Sequence, residues 1–383
     1  MDERSGCHMF KRLFQLLFLI VILYAAKPLW EGPVSKYVDL SFLDPLDARV
    51  ETVLDEELIG SVLDYTKQSI TKVVSFISNK TAESRVPDEV AQPALETPTQ
   101  SLISIHNIEI GMPEAEVKSK LGEPMRKSVN EYGTEWLTFH QDYQNFVMLS
   151  YDIKRRVNAV YTNDRLISSS LGIEYGAAKA DVRAVNGEPI TEIRKGTNIY
   201  KLQDDEGMDI FHSDGVYIYV FYDLHQNNTV TAVQLISDQL EQRKTALYAP
   251  QNDAMRKGFE IQLFDLTNAA RVRHGRSILT WDDKAAVAAR KHSMDMAVHD
   301  YFSHENLRGE SPFDRMKKDG VKFVSAGENL AYGQSSSIFA HEGLMNSKGH
   351  RDNILIRDYQ FLGIGVDFND KEQPYYTENF FAK

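Results

Sequence analysis

The chain has 383 residues, enough for two or three domains with separate cores, and its 42% apolar content confines disorder to local stretches. A formal charge of -12 excludes a phosphate-reading nucleic-acid binder, which needs clustered Lys and Arg. The single cysteine, Cys7, excludes an internal disulfide framework and a thiolate metal cluster, and it precedes the first apolar run, where a lipoprotein cysteine would follow it.

Phe10 to Trp30 is that apolar run, interrupted by Gln15 and preceded by Arg4, Lys11 and Arg12. It predicts a transmembrane helix, so that residues 1–30 form a cytoplasmic tip and signal anchor, and the excess of positive charge before the helix puts the N-terminus in the cytoplasm and the rest outside. A cleaved signal peptide, giving a secreted protein, is the alternative. Tyr24-Ala25-Ala26-Lys27 is a poor cleavage site, so a single-pass signal anchor is preferred.

Residues 31–100 read as a stalk and linker. Eight acidic side chains between Val38 and Asp64 face Arg49 alone, so much of the acidity sits there. Leu54, Leu58, Val62, Ile70, Val73, Val74 and Ile77 recur at helical spacing, and from Lys80 to Gln100 a Thr, Ser, Pro, Glu and Gln composition predicts an extended spacer.

An internal repeat fills residues 101–240. Asn107-Ile-Glu-Ile-Gly111, Val117 and Gly122-Glu-Pro124 recur at a constant offset as Gly172-Ile-Glu-Tyr-Gly176, Val182 and Gly187-Glu-Pro189. Further on, Val157-Asn-Ala-Val160 resembles Val230-Thr-Ala-Val233. Pro113 to Leu121 and Ala177 to Asn186 predict short helices ended by proline. Strands are predicted over Phe146 to Tyr151, Val157 to Thr162, Val216 to Tyr222 and Thr229 to Ile236. Each repeat is expected to pack one helix on its own small antiparallel sheet. Gly-Glu-Pro is turn chemistry, with no catalytic role.

Glu241 to Tyr248 is the expected hinge into a last domain over residues 248–383. Phe259, Leu263, Leu266 and Ala270 mark a helix stopped by His274-Gly275, and a second runs from Asp282 to His299 with Ala285, Ala289, His292 and Met296 on one face. His292 reads as a satisfied core residue. His274, His299 and His341 belong to no motif and default to the surface.

The ordered string His292-Ser-Met-Asp-Met-Ala297, Tyr301-Phe-Ser-His304, Ser311-Pro-Phe-Asp-Arg-Met316, Gly327-Glu-Asn-Leu-Ala331 and Leu344-Met-Asn-Ser-Lys-Gly-His-Arg-Asp-Asn-Ile-Leu355 resembles the CAP superfamily in its short bacterial form. That superfamily includes cysteine-rich secretory and plant pathogenesis-related proteins. Leu362 to Val366 and Tyr375 to Phe380 resemble its closing strands, and the duplicated region resembles the CAP-associated domain of Bacillus-type exported proteins. The resemblance implies an α+β protein, with a CAP α-β-α sandwich preceded by a duplicated small α+β domain and the transmembrane helix. It also implies a cleft holding two histidines and acidic residues.

By that resemblance His304 and His350 are the cleft histidines and Glu328 is the glutamate of Gly-Glu-Asn. The fourth cleft position, glutamate in many animal and plant members, is Ser347; Glu342 lies a little earlier and is a further cleft candidate, and Leu344 replaces the usual tryptophan. Two imidazoles are able to hold a divalent metal such as zinc, with a carboxylate completing or orienting the set. Two functions follow. One is a binding module for a lipid, peptide or cell-wall (peptidoglycan) ligand at the cell envelope. The other is a metal-assisted hydrolase of protein or envelope polymer, with Glu328 as base; no G-x-S-x-G elbow surrounds Ser347.

Overall fold

The computed structural model describes residues 85–195, 198–202 and 206–383. The expected anchor over Phe10 to Trp30 and most of the acidic stalk lie outside the described residues. Among those described, no helix is long and apolar enough to cross a membrane.

From Arg85 the chain runs extended over the domain that follows it. Side chains of that domain meet its backbone groups. Gln144 accepts from Val90 N (2.9 Å) and donates to Asp88 O (2.8 Å), while Asn107 accepts from Glu96 N and Glu109 from Thr99 N and Gln100 N. The end of the expected spacer is thus fastened to the protein surface.

The first domain contains β1 (Ile103–Ile105), α1 (Glu114–Leu121), β2 (Arg126–Val129), β3 (Glu135–Gln141), β4 (Gln144–Tyr151), β5 (Val157–Thr162), β6 (Ile167–Ser169) and α2 (Lys179–Asn186). It continues through β7 (Glu192–Lys195), β8 (Asn198–Lys201), β9 (Met208–Ser213), β10 (Val216–Asp223), β11 (Thr229–Ser237) and α3 (Asp238–Glu241). Gly122 and Gly187 end α1 and α2 at positive φ, just ahead of the two prolines. Matching segments occupy matching places: Gly111 N donates to Val157 O, and Gly176 N to Val230 O.

The sheet differs from expectation. Strands of both repeats form one seven-stranded sheet, β2-β3-β4-β5-β11-β10-β9, joined where β5 pairs antiparallel with β11. Tyr161 stands opposite Gln234 at that join. Two separate sheets would leave β5 and β11 as apolar edges with unpaired backbone groups, and pairing removes both.

The second domain contains α4 (Asp253–Arg273), β12 (Thr280–Trp281), α5 (Asp283–His299), α6 (Pro312–Lys318) and β13 (Ser325–Tyr332). α7 (Ser337–Asn346), α8 (Lys348–Ile354), β14 (Phe361–Phe368) and β15 (Pro374–Ala382) complete it. Asn252 and Asp282 cap α4 and α5 with their side chains. The sheet order is β12-β14-β15-β13, so β13 is an edge. α5 packs on one face, while α4, α7 and α8 lie on the other, giving the α-β-α sandwich. Gly363 and Gly365 let α5 sit close, because a Cβ on either would overlap the backbone of that helix.

The two domains share one core. Along β4, Val147 and Leu149 face α1 and α2, whereas Phe146 and Met148 join Trp136, Tyr161 and Phe221 on the opposite face. That face is covered by Phe259, Leu263, Phe264 and Leu344 from α4 and α7. The expected hinge begins in this packing: Glu241 is buried, accepts from Tyr132 Oη (2.7 Å) and pairs with Lys195. A charged side chain buried and paired in this way is anchored rather than free to swing.

α4 meets β2 at backbone distance. A Cβ on Gly258 would overlap the carbonyl oxygen of Val129, and Gln262 Nε2 donates to that same oxygen (2.8 Å) and to Ser128 Oγ (3.0 Å). Gly258→Ala would raise stability by up to about 1 kcal/mol in a free helix. In this seam we expect the opposite sign, a lowered thermal midpoint, measurable by calorimetry of wild type and variant; an unchanged or raised midpoint would mean the seam is not closed in solution.

Candidate functional site

Along β13 adjacent side chains point to opposite sides of the sheet. Glu328 faces α6 and the loop carrying His304; Asn329 faces α8, where its Nδ2 donates to His350 O (3.2 Å). β13 is the edge strand, and the His304 loop and the His350 backbone meet it through Glu328 and Asn329, side chains on opposite sides of the sheet.

Glu328 is nearly sealed, its side chain 2% exposed, while that of His304 is 54% exposed. One Glu328 oxygen meets His304 Nδ1 at 2.8 Å; the other accepts from Arg315 Nη2 at 2.6 Å. A carboxylate only accepts, so Nδ1 carries a proton and Nε2 is the ring nitrogen left free of Glu328. Arg315 also donates to His304 O (2.7 Å) and Glu310 O (3.0 Å), tying the histidine loop to its carboxylate. It is placed by α6, whose start is set by Pro312 and a Ser311–Asp314 capping box. Nothing in the sequence reading gave Arg315 a role; the capping box in Ser311-Pro-Phe-Asp-Arg315 was the signal available.

His350 Nδ1 lies 2.7 Å from Ser347 Oγ. Ser347 sits at the corner between α7 and α8, where its hydroxyl serves the imidazole instead of capping α8. It suits either His350 tautomer. Burial, then the neighbouring His304, lowers the His350 pKa below its usual value and favours the neutral ring.

Glu342 is not part of this cleft. It is buried in the seam between domains, where Oε1 accepts from Tyr161 Oη at 2.6 Å. Its position on α7 turns it toward the first domain, and its charge neighbours are Arg273, Asp223 and Arg351, not the cleft histidines. No run of residues before it could have revealed this, because Tyr161 is remote in sequence.

The donor set therefore differs from a three-ligand zinc site. Both Glu328 oxygens are engaged, Glu342 points elsewhere, and among the described residues no three His, Cys, Asp or Glu side chains are grouped to hold a metal. Two imidazoles are one protein ligand short of the usual catalytic zinc site. Glu328 fits the orienting role alone.

The other histidines divide. His299 is exposed. His292 is buried with Nε2 on Ser303 O (2.9 Å), but its Nδ1 has no hydrogen-bond partner, so it is only half satisfied. His341 and His274 are not surface residues: His341 is fully enclosed in the seam and His274 half-buried beside Arg273 and Arg351. The helical face that presents Glu342 to the first domain carries His341 inward too.

Residues 264–380 match the cysteine-rich secretory protein (CAP) family, and residues 110–247 the CAP-associated N-terminal family. The uncharacterized membrane protein YlbC of Bacillus subtilis is 28% identical over 333 residues, 79% of this chain and 90% of that protein. The structure of an extracellular SCP-domain protein from Bacillus anthracis is 27% identical, with a TM-score of 0.63 over 77% of this chain and all of that one. A cysteine-rich secretory protein from Staphylococcus aureus shares the fold, with 19% identity and a TM-score of 0.57 over 72% of this chain and 94% of that one.

Burial, then the charges of Arg273, His274 and Arg351, pushes the His341 pKa down to about 3. Below pH 6.5 the unfolded chain binds a proton that the folded chain refuses, so this site's contribution is full above pH 6.5 and declines as the pH falls toward 3. His341→Asn removes that titration. Between pH 6.5 and 4.5 wild type should lose about 2 kcal/mol relative to the variant, read from urea unfolding at each pH; parallel curves would refute the buried neutral state.

Proposed function

The chain belongs to the bacterial CAP-domain proteins, and from that membership we propose that it is a ligand-binding module held at the outer face of the cell membrane. The observation that carries this reading is the two imidazoles, each fixed by its own partner, with no group of three metal-ligating side chains among the described residues. His304 is pre-oriented by a carboxylate that is itself locked by Arg315, so it offers an acceptor without reorganisation. His350 offers a second ring whose orientation is set by Ser347. A cleft so ordered binds without needing to react.

The apolar run over Phe10 to Trp30 supports the anchor, as does the similarity to the uncharacterized membrane protein YlbC of Bacillus subtilis. The ligand belongs to the envelope the cleft would face: lipid, peptide or cell-wall polymer.

The test uses the full chain with washed envelope material. His304→Ala and His350→Ala should each weaken binding on the order of tenfold, about 1.4 kcal/mol, with envelope polymers left intact. Binding by wild type should hold down to pH 6.5 and weaken below it, as His350 is forced to accept a proton. Equal binding by both variants would remove the cleft from the function. Stoichiometric zinc with polymer cleavage lost in the same variants would replace binding by hydrolysis.

A further inference from the structure

Beside the cleft, where the two domains meet, lies a pocket of about 410 Å³. α7 forms one wall with Phe339, Glu342 and Gly343, residues on one side of the helix by their three- and four-residue spacing, and Ser347 follows at the corner after it. The first domain supplies Met208 from β9 and Phe221 from β10. Ser347 belongs to both places, since its hydroxyl meets His350. We propose that this pocket is a peptide subsite of the CAP cleft, seating an apolar side chain against Phe221 and Phe339 while Glu342 and Gln334 accept the peptide's N–H groups.

Three observations favour a peptide. The first is the pairing of an apolar wall with acceptors. Phe339 packs edge-on to Phe221 at 5.7 Å, and Gln334 Oε1 is buried without a hydrogen-bond partner. A buried acceptor left unmet costs about 1–3 kcal/mol, which a donating ligand recovers. A hydrocarbon tail has no donor to give, whereas a peptide brings a backbone N–H and an apolar side chain on the same residue.

The second is Glu342. It is 5% exposed, lines the pocket, and has Oε1 engaged by Tyr161, leaving further acceptor capacity toward the pocket. Burial raises its pKa above the ordinary carboxyl value.

The third is Gly343. Glycine inside a helix costs roughly 0.5–1 kcal/mol relative to alanine. A Cβ there would meet nothing within 4 Å, so no neighbour in the described chain requires the glycine. The space above it is the pocket. A bare backbone at that point admits close approach by a ligand main chain.

The subsite rests on the binding reading above, because it makes the duplicated domain part of the ligand groove. The experiment measures N-acetyl-leucyl-leucinamide binding to the full chain in lipid nanodiscs by saturation-transfer NMR. Gly343→Trp fills the pocket and should weaken binding on the order of tenfold with the thermal midpoint retained; Gly343→Leu serves if the larger residue fails to fold. The backbone N-methylated analogue should bind wild type on the order of tenfold more weakly. Absence of wild-type binding, equal binding by Gly343→Trp and Gly343→Leu, or equal binding of the methylated analogue overturns the subsite. If the histidine variants lose envelope binding while the pocket variants bind the peptide normally, the subsite fails and the cleft reading stands. Pocket-dependent peptide binding with envelope binding indifferent to the histidines gives the converse.

Discussion

The arrangement depends on the close contact between α4 and β2, which Gly258 makes possible by bringing the helix against the Val129 carbonyl. A larger residue would hold the helix away, and the second face of the seven-stranded sheet would open. That face carries Trp136, Phe146, Tyr161 and Phe221, too much apolar surface for a free domain to leave in water. The domains therefore stabilise each other through a shared core.

Polar groups inside this seam fix its geometry. Arg351 pairs with Asp223 (2.8 Å), Asn346 donates to Tyr222 O (2.9 Å) and accepts from Leu224 N (3.1 Å), and Tyr143 Oη donates to Asp265 (3.2 Å). Each is expensive to bury unless its partner is in place, so the seam tolerates little sliding. Asn346, Ser347 and His350 follow one another around the corner from α7 to α8. Fixing Asn346 against the first domain thus also fixes the backbone that delivers His350 to the cleft.

The cleft repeats this logic. Arg315 holds the His304 loop and Glu328 together, and Glu328 sets the imidazole. Such rigidity holds the His304 ring in one orientation.

Local pattern was enough for several elements. The capped helix ending at His299, the helix stopped at His274-Gly275 and the strand from Val157 to Thr162 lie where spacing placed them, since caps, proline and periodicity act over a few residues. Strand patterns also held a signal of the seam. Phe146 to Leu149 is continuously apolar instead of alternating, the mark of a strand covered on both faces.

By itself the sequence determined the family resemblance and the main helices and strands, because ordered motifs and short-range periodicity are written along the chain, and through that resemblance it pointed to His304, Glu328 and His350. Tertiary structure alone decided that the repeats share one sheet, that Glu342 and His341 belong to the seam, and that Arg315 governs His304. Those outcomes rest on contacts between residues far apart in sequence, such as Tyr161 with Glu342, whose energy exists only once both surfaces have left water.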